Sequence, residues 1–350
     1  MTAQEKAAPE AEATSVEQLL TDILGQYSIR GDWRAIDRES GMNNTTRLIV
    51  TDNARYAIRL YDNHQDNAIV QLEHEVLQFL AESDFVLQVP EPIRSSSGST
   101  VTAASTGKLA SLFRYIDGNR PSSSNEKHVH SLGYAAGLLS RAMAQLQTNS
   151  EPQYQPYYEL MQSYEGWTDE KVIDTASRCS FDDNVMSAIR RILAVRANLA
   201  PSLTILKKLP HQWIHGDLNF SNAVAVGDEV VGVLDFEFCT VDLRAMEPSV
   251  VMVDFINADR TNEQRLKAID TFATGFGEAL RLTSDEAEAI PSLMKLRMLD
   301  VFLHFAIRCA DGLDAPDVWK GQIRHADAVC QWINERHDEL ATLLRSRLGE

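Results

Sequence analysis

Apolar and polar residues alternate in short runs between Ser28 and Tyr61, as in Arg47-Leu48-Ile49-Val50 and Arg55-Tyr56-Ala57-Ile58-Arg59-Leu60-Tyr61. The Thr51-Asp52-Asn53-Ala54 between them is turn chemistry, so the two runs read as a hairpin. Helical periodicity takes over at about 67–83, where Leu72, Val76, Phe79 and Leu80 share one face. Val89-Pro90-Glu91-Pro92 stops that helix. Two further strands are predicted, around Ile93–Ser95 and Leu109–Ile116, joined by a Ser/Thr/Gly-rich hairpin loop at 95–107. The order strand, strand, strand, helix, strand, strand predicts a small antiparallel sheet carrying one helix. Ahead of it, residues 1–15 read as a disordered tail and Val16–Tyr27 as a short amphipathic helix.

The turn-rich stretch Asp117–Ser124 reads as a linker, and beyond it helical periods dominate. Helices are predicted at about 127–147, 168–177, 182–199, 262–281, 284–310 and 316–347, interrupted by one β-rich island, Gln212–Phe238. The expected division is a tail and short helix (1–27), a β-rich lobe (28–116) and a mainly helical lobe (117–350), an α+β class.

Composition narrows the function classes. Of 350 residues, 33 are Lys or Arg and 50 are Asp or Glu, a formal charge of −17, which disfavours non-specific nucleic-acid binding. The four cysteines, Cys179, Cys239, Cys309 and Cys330, form no C-x-x-C pair, which argues against a zinc ribbon or thioredoxin motif and suggests reduced thiols. No apolar run approaches the ~20 residues of a membrane span, and the first residues lack the apolar core of a signal peptide. A cytoplasmic protein without a membrane partner, monomer or homodimer, is expected.

The island carries the chemistry. It reads Trp213-Ile214-His215-Gly216-Asp217-Leu218-Asn219-Phe220-Ser221-Asn222, then, after a turn at Gly227-Asp228, Val230-Val231-Gly232-Val233-Leu234-Asp235-Phe236-Glu237-Phe238. A hairpin of this kind can bring Asp217, Asn222 and Asp235 to one rim. Phosphoryl transfer needs such a set. Mg²⁺ bridging the phosphates takes oxygen ligands, for which Asn222 and Asp235 are candidates, and a further carboxylate, Asp217, can orient the attacking hydroxyl and accept its proton. His215 is expected to brace the loop rather than take part in the reaction.

His-Gly-Asp-x-x-x-x-Asn followed by Asp-Phe-Glu resembles the small-molecule kinases of the aminoglycoside phosphotransferase, choline kinase and type II homoserine kinase group. The resemblance spans about residues 30–340. It implies a protein-kinase-like two-lobed fold with a small antiparallel β N-lobe and a mainly helical C-lobe, and ATP and Mg²⁺ as cofactors. Gly216 and Glu237 stand where protein kinases carry the Arg of H-R-D and the Gly of D-F-G. It further implies a phosphate loop at Ser40–Arg47, with Asn43, Asn44 and Thr45 as candidates, and a cation on the third strand paired with a helix glutamate. Arg59 takes that place where protein kinases have Lys, with Glu75 the preferred partner and Glu73 the alternative. Phe113, Tyr115 and Ile116 would form the hinge beside adenine, in the cleft between the lobes.

The acceptor site is expected on C-lobe helices, with Glu237, Trp167, Asp300 and His304 as candidates, Tyr164 nearby, and Asp300 and His304 on one helical face. Glu237 can also be read as a local cap, and the Asp300–His304 pair as buried structure. Asp242 and Glu247 are expected to fix the loop, with Arg244 as their ion-pair partner. The implied activity is transfer of the γ-phosphoryl group of ATP to a hydroxyl of a small molecule, either a homoserine-like amino alcohol or an antibiotic. The alternative is a nucleotide-binding module that does not turn over. No A-P-E element follows Asp235, which disfavours a protein kinase.

Overall fold

The computed structural model describes residues 17–29, 31–37, 44–61 and 67–350, so the tail 1–15 and most of the expected phosphate loop, Asn43 included, lie outside the described residues. The chain divides into two compact units, the first comprising Met1–Ser83 and Gln88–Asp117, the second Asp84–Leu87 and Gly118–Glu350.

The first unit is an antiparallel five-stranded sheet in the order β1-β2-β3-β5-β4, from β1 (Trp33–Asp37), β2 (Asn44–Thr51), β3 (Arg55–Tyr61), β4 (Thr102–Ala103) and β5 (Leu109–Arg114). Strand alternation gives the sheet two faces of different character. Ile49, Ile58, Leu60, Ala110 and Leu112 form one core with Leu20, Ile23 and Leu24 of the helix α1 (17–24) and with Tyr27. Arg59, Thr46 and Ser111, opposite one another in the ladder, point the other way. That second face meets α2 (Asn67–Glu82), whose Glu73 bonds Arg59 and whose His74 stands edge-on to Phe113 at 5.6 Å. One strand prediction fails. Ile93–Ser95 makes no strand, only a Pro92–Phe113 bridge and a bond from Ile93 N–H to Leu112 C=O, because Pro92 removes a ladder donor. The fifth strand is Thr102–Ala103, inside the expected loop.

The second unit is built from helices α3 (Glu126–Met143), α4 (Leu160–Ser163), α5 (Asp169–Arg178), α6 (Asp183–Leu206), α7 (Met246–Met252), α8 (Asn262–Ala279), α9 (Ser284–Ala310), α10 (Pro316–Glu335) and α11 (His337–Leu348). Helices α3 and α8 cross closely because each brings a glycine to the contact: a Cβ on Gly133 would stand 2.1 Å from Phe272 O, and one on Gly275 2.1 Å from His130 O. Capping boxes at Thr261/Gln264 and Thr283/Glu286 start α8 and α9. The expected single C-terminal helix is two, broken at Arg336, whose ψ of 20° lies outside helical geometry. The β-rich island forms two two-stranded ribbons, β6 (His211–Ile214) with β9 (Thr240–Leu243), and β7 (Ala223–Val226) with β8 (Glu229–Val233). Among the described residues no helix is long and apolar enough to cross a membrane.

Candidate active site

The segment between β6 and β7 carries Asp217, and its shape is fixed from below. His215 is fully buried, with its ring 4.6 Å from that of Phe236. Its Nε2 lies 2.9 Å from Leu234 O and its Nδ1 3.2 Å from Asp217 N. A carbonyl can only accept and an amide N–H can only donate, so the ring is neutral with its proton on Nε2. Backbone N–H of His215 donates to Glu247 Oε2 at 2.6 Å, and burial pushes this carboxyl up against the opposing pull of the N–H groups of His215 and Gly216. Gly216 has φ +79°, and a Cβ there would come within 2.9 Å of Phe238 O. The glycine of the His-Gly-Asp motif therefore answers a backbone requirement.

Above this brace the three motif residues come together. Asn222 Nδ2 donates to Asp217 O at 2.9 Å and stands 3.3 Å from Asp217 Oδ2. Leu234 N–H donates to Asn222 C=O at 2.8 Å, which brings Asp235 next to Asn222. Asp235 itself has φ +65°, uncommon for a residue with a Cβ and costing about 1–3 kcal/mol. The bonds at Leu234, together with Cys239 N–H to Phe236 C=O, hold the chain in that conformation. Among the described residues no group of three His, Cys, Asp or Glu side chains could hold a metal ion. The donor set at this corner is instead one carboxylate and one amide oxygen. That set fits Mg²⁺, which binds through one or two protein oxygens and completes its octahedron with phosphates and waters.

The sequence reading missed a cation at this site. Arg297, on α9, donates through Nη2 to Asp217 Oδ1 at 2.6 Å and through Nη1 to Tyr157 Oη, and its Nη1 lies 4.0 Å from Asp300 Oδ2. Tyr157 Oη in turn donates to Gly216 C=O at 2.9 Å. Burial works against the charge on Arg297, but Tyr157, Asp217, Asp300 and Asp254 hold the guanidinium more firmly protonated than usual. Tyr164 Oη donates to Asp300 Oδ1 at 2.8 Å, and burial pushes the Asp300 carboxyl up against the pull of Arg297 and Tyr164. The signal was available: Arg297, Asp300 and His304 follow i, i+3, i+7 spacing along one face of α9.

Four expectations need correction. Arg59 Nη1 bonds Glu73 Oε1 at 2.7 Å, and Tyr61 Oη adds a longer contact to Glu73 Oε2, so Glu73 and not Glu75 is the partner. The helix register decides it. Glu73 is buried with Leu77 and Leu80 against the sheet, while Glu75 is exposed. Asn44 and Thr45 belong to β2, paired with Tyr61 and Leu60, and are not loop residues. Asn44 falls on the Arg59 face and Thr45 on the opposite one. Arg244 pairs with Glu286 through Nε and Nη2 rather than with Asp242 or Glu247. Asp242 instead accepts the N–H groups of Tyr157 and Leu243, and burial raises it to about 7. Trp167 is buried, with its carbonyl bonded to Arg196 and Lys171 over its ring, so packing occupies the indole expected to meet substrate.

The remaining candidates are placed as follows. Glu237 is buried one residue past Phe236. His304 is exposed on α9, its ring edge-on to Phe305. Phe113 and Ile116 are buried, and Tyr115 carries Arg55 5.5 Å above its ring at the end of the first unit.

Known proteins resemble the chain over most of its length. Homoserine kinase of Rhodopseudomonas palustris is 25% identical over 306 residues, 85% of each chain. A microcompartment-associated aminopropanol kinase superposes with a TM-score of 0.69 at 15% identity, covering 95% of this chain and 99% of its own. An aminoglycoside phosphotransferase of Alicyclobacillus acidocaldarius superposes with a TM-score of 0.63 at 14% identity, covering 92% and 95%. These likenesses bear out the two-lobed kinase-like fold expected from the motifs. Residues 34–288 match the model of the phosphotransferase enzyme family, and the chain belongs to that family.

Proposed function

We propose that this phosphotransferase moves the γ-phosphoryl group of ATP to the hydroxyl of a small amino alcohol of the homoserine type, with Asp217 as base and Asn222 and Asp235 as ligands to Mg²⁺. One observation carries the reading. The Asn222 side chain is bonded to the Asp217 side chain, and its backbone C=O accepts the N–H of Leu234, the residue before Asp235. A base and a metal-binding pair are thereby linked through a single residue. When bound, Mg²⁺ would neutralise charge on the transferring phosphate. Asp217 would orient the acceptor hydroxyl and take its proton, and the His215–Glu247 brace would hold the loop so that little reorganisation accompanies transfer. In the first unit, the Arg59–Glu73 pair supports a role for Arg59 on the nucleotide phosphates.

The surroundings of Asp217 favour a zwitterionic acceptor over a polycationic antibiotic. A guanidinium stands among the carboxylates Asp217, Asp254 and Asp300, so both signs are offered. An amino-acid alcohol brings one carboxylate for Arg297 and one ammonium for the carboxylates, whereas a polycation would bring the guanidinium no anionic partner. The homoserine kinase relatives point the same way, and with them goes a cytoplasmic setting.

The test is ADP release with a panel of amino alcohols, sugars and aminoglycosides. Turnover is expected with homoserine-like acceptors and strict dependence on Mg²⁺. In parallel, Asp235→Ala is expected to abolish the thermal stabilisation given by Mg-ATP. Inertness across the panel, or undiminished stabilisation of Asp235→Ala, would overturn the reading.

A further inference from the structure

Two of the four cysteines lie outside the chemistry described so far and lie against each other. Cys179 Sγ and Cys309 Sγ are 3.5 Å apart, although 130 residues separate them in sequence. Both are free thiols and both are partly exposed, whereas Cys239 and Cys330 are buried. Cys179 caps the C-terminal end of α5 and Cys309 lies in the last turn of α9.

Each thiol sits on a segment fixed by its own contacts. Beyond Cys179, Ser180 turns the chain at φ +54°, Phe181 packs on Trp319 at 5.5 Å, and Asp182 caps α6 by accepting Val185 N–H. Beside Cys309, Arg308 makes a two-pronged bond to Asp314 at 2.6 and 3.0 Å, closing the turn after α9. A disulfide needs an S–S distance of about 2.05 Å, so the sulfurs have about 1.5 Å to travel from van der Waals contact.

We propose that Cys179 and Cys309 are a site of reversible oxidative modification, forming an intrachain disulfide that ties the end of α5 to the end of α9. With hydrogen peroxide as oxidant the step balances. One thiol ionises and its thiolate attacks peroxide, giving a sulfenic acid and a hydroxide that takes up the released proton as one water. The second thiol then displaces the hydroxyl as a second water while the S–S bond forms. Two S–H bonds are lost, two electrons pass to peroxide, and a dithiol reductant reverses the change by exchange. Burial, then the neighbouring Cys179 and Asp314, push the Cys309 thiol up to about 11. Cys309 therefore rests as a thiol near neutrality and reacts slowly. The bond would close a loop of more than 100 residues, the size for which a cross-link constrains the unfolded chain most.

The proposal stands apart from the phosphotransfer reading, because its readouts need no turnover. The full-length protein is treated with hydrogen peroxide and its thiols are counted after denaturation. The count is expected to fall from four to two. Peptide mapping should show one Cys179–Cys309 cross-link in a monomer that is 2 Da lighter, and dithiothreitol should restore four thiols. The oxidised form should melt several degrees higher, on the order of 5 °C. Cys179→Ser and Cys309→Ser should each remain folded and abolish the cross-link. Four surviving thiols, oxidation at Cys239 or Cys330, a lone sulfinic acid, or disulfides only between molecules would each overturn it.

Discussion

The candidate residues of the two units are held in opposite ways. In the second unit, Asp217 is fixed by Arg297, by Asn222 and, through its own N–H, by His215, which is itself tied to Leu234 and Glu247. In the first unit, Arg59 relies on Glu73, with Phe113 5.7 Å beneath its guanidinium. The first arrangement is a network in which each of these side chains is bonded to the next. The second is a partly buried ion pair between a strand and a helix. Networks preorganise chemistry, and an ion pair between two elements sets the place of the side chain that spans them. The two regions should therefore fail differently when perturbed.

The largest effect is expected at the network's centre. Asp217→Asn keeps the shape of the side chain but removes the acceptor for the hydroxyl proton. It should lower kcat by roughly 10²–10⁴-fold with the KM for ATP nearly unchanged. Retained wild-type turnover would remove the base from the proposal and reduce the network to a structural one. Arg297 comes next. Arg297→Ala should raise the KM for homoserine by about 10–100-fold, the value of one charge-assisted contact, and should raise it far less for an amino alcohol without a carboxylate. Equal losses for both acceptors would assign Arg297 to positioning Asp217 alone.

The same contrast explains what could be read from the sequence. The loop from His215 to Asp235 is contiguous, and its chemistry is carried by residue types that rarely occur together by accident. Asp217, Asn222 and Asp235 could be named from these residue types alone, and the structure bonds Asn222 to Asp217 and to Leu234, the residue before Asp235. Arg297 lies 80 residues from the aspartate it touches, so no local pattern links them. Only the spacing along α9 put it beside Asp300. Glu73 and Glu75 differ by half a helical turn, and the choice between them rested on which face meets the sheet. The buried stripe of Val70, Leu77 and Leu80 settles that, and a count of apolar residues could not. Arg244 illustrates the same limit: its partner, Glu286, starts another helix 42 positions on.

The ion pair of the first unit gives a direct test of that register. Glu73→Gln removes the charge opposite Arg59 at a site where Glu73 keeps 2% of its surface. It should cost about 3 kcal/mol, since a buried charge loses its counterpart, and should raise the KM for ATP several-fold. Glu75→Gln, on the exposed side of α2, should change stability by less than about 0.5 kcal/mol. Chemical denaturation of the two variants decides it, and equal effects would contradict the orientation of the helix.

Titration separates the units by the sign of their response to pH. His74, buried next to the Arg59–Glu73 pair, donates or accepts through Nδ1 with Thr100 Oγ1 at 2.8 Å. Burial, helped by Arg59, lowers its imidazole to about 4. Neutral His74 is thus the form the fold accepts. The stability it contributes is complete above its ordinary value near 6.5. It is lost as pH falls towards 4, because the unfolded chain binds the proton first. In the second unit, Asp242 is raised to about 7, so its contribution is complete in acid, below the usual carboxylate range, and is lost as pH rises through 7. His74→Asn keeps a donor for Thr100 and cannot titrate. Between pH 6.5 and 4.5 the wild type should lose roughly 2–3 kcal/mol more than this variant in urea unfolding, with the two curves parallel above pH 7. Parallel curves throughout would mean that His74 charges inside the folded protein.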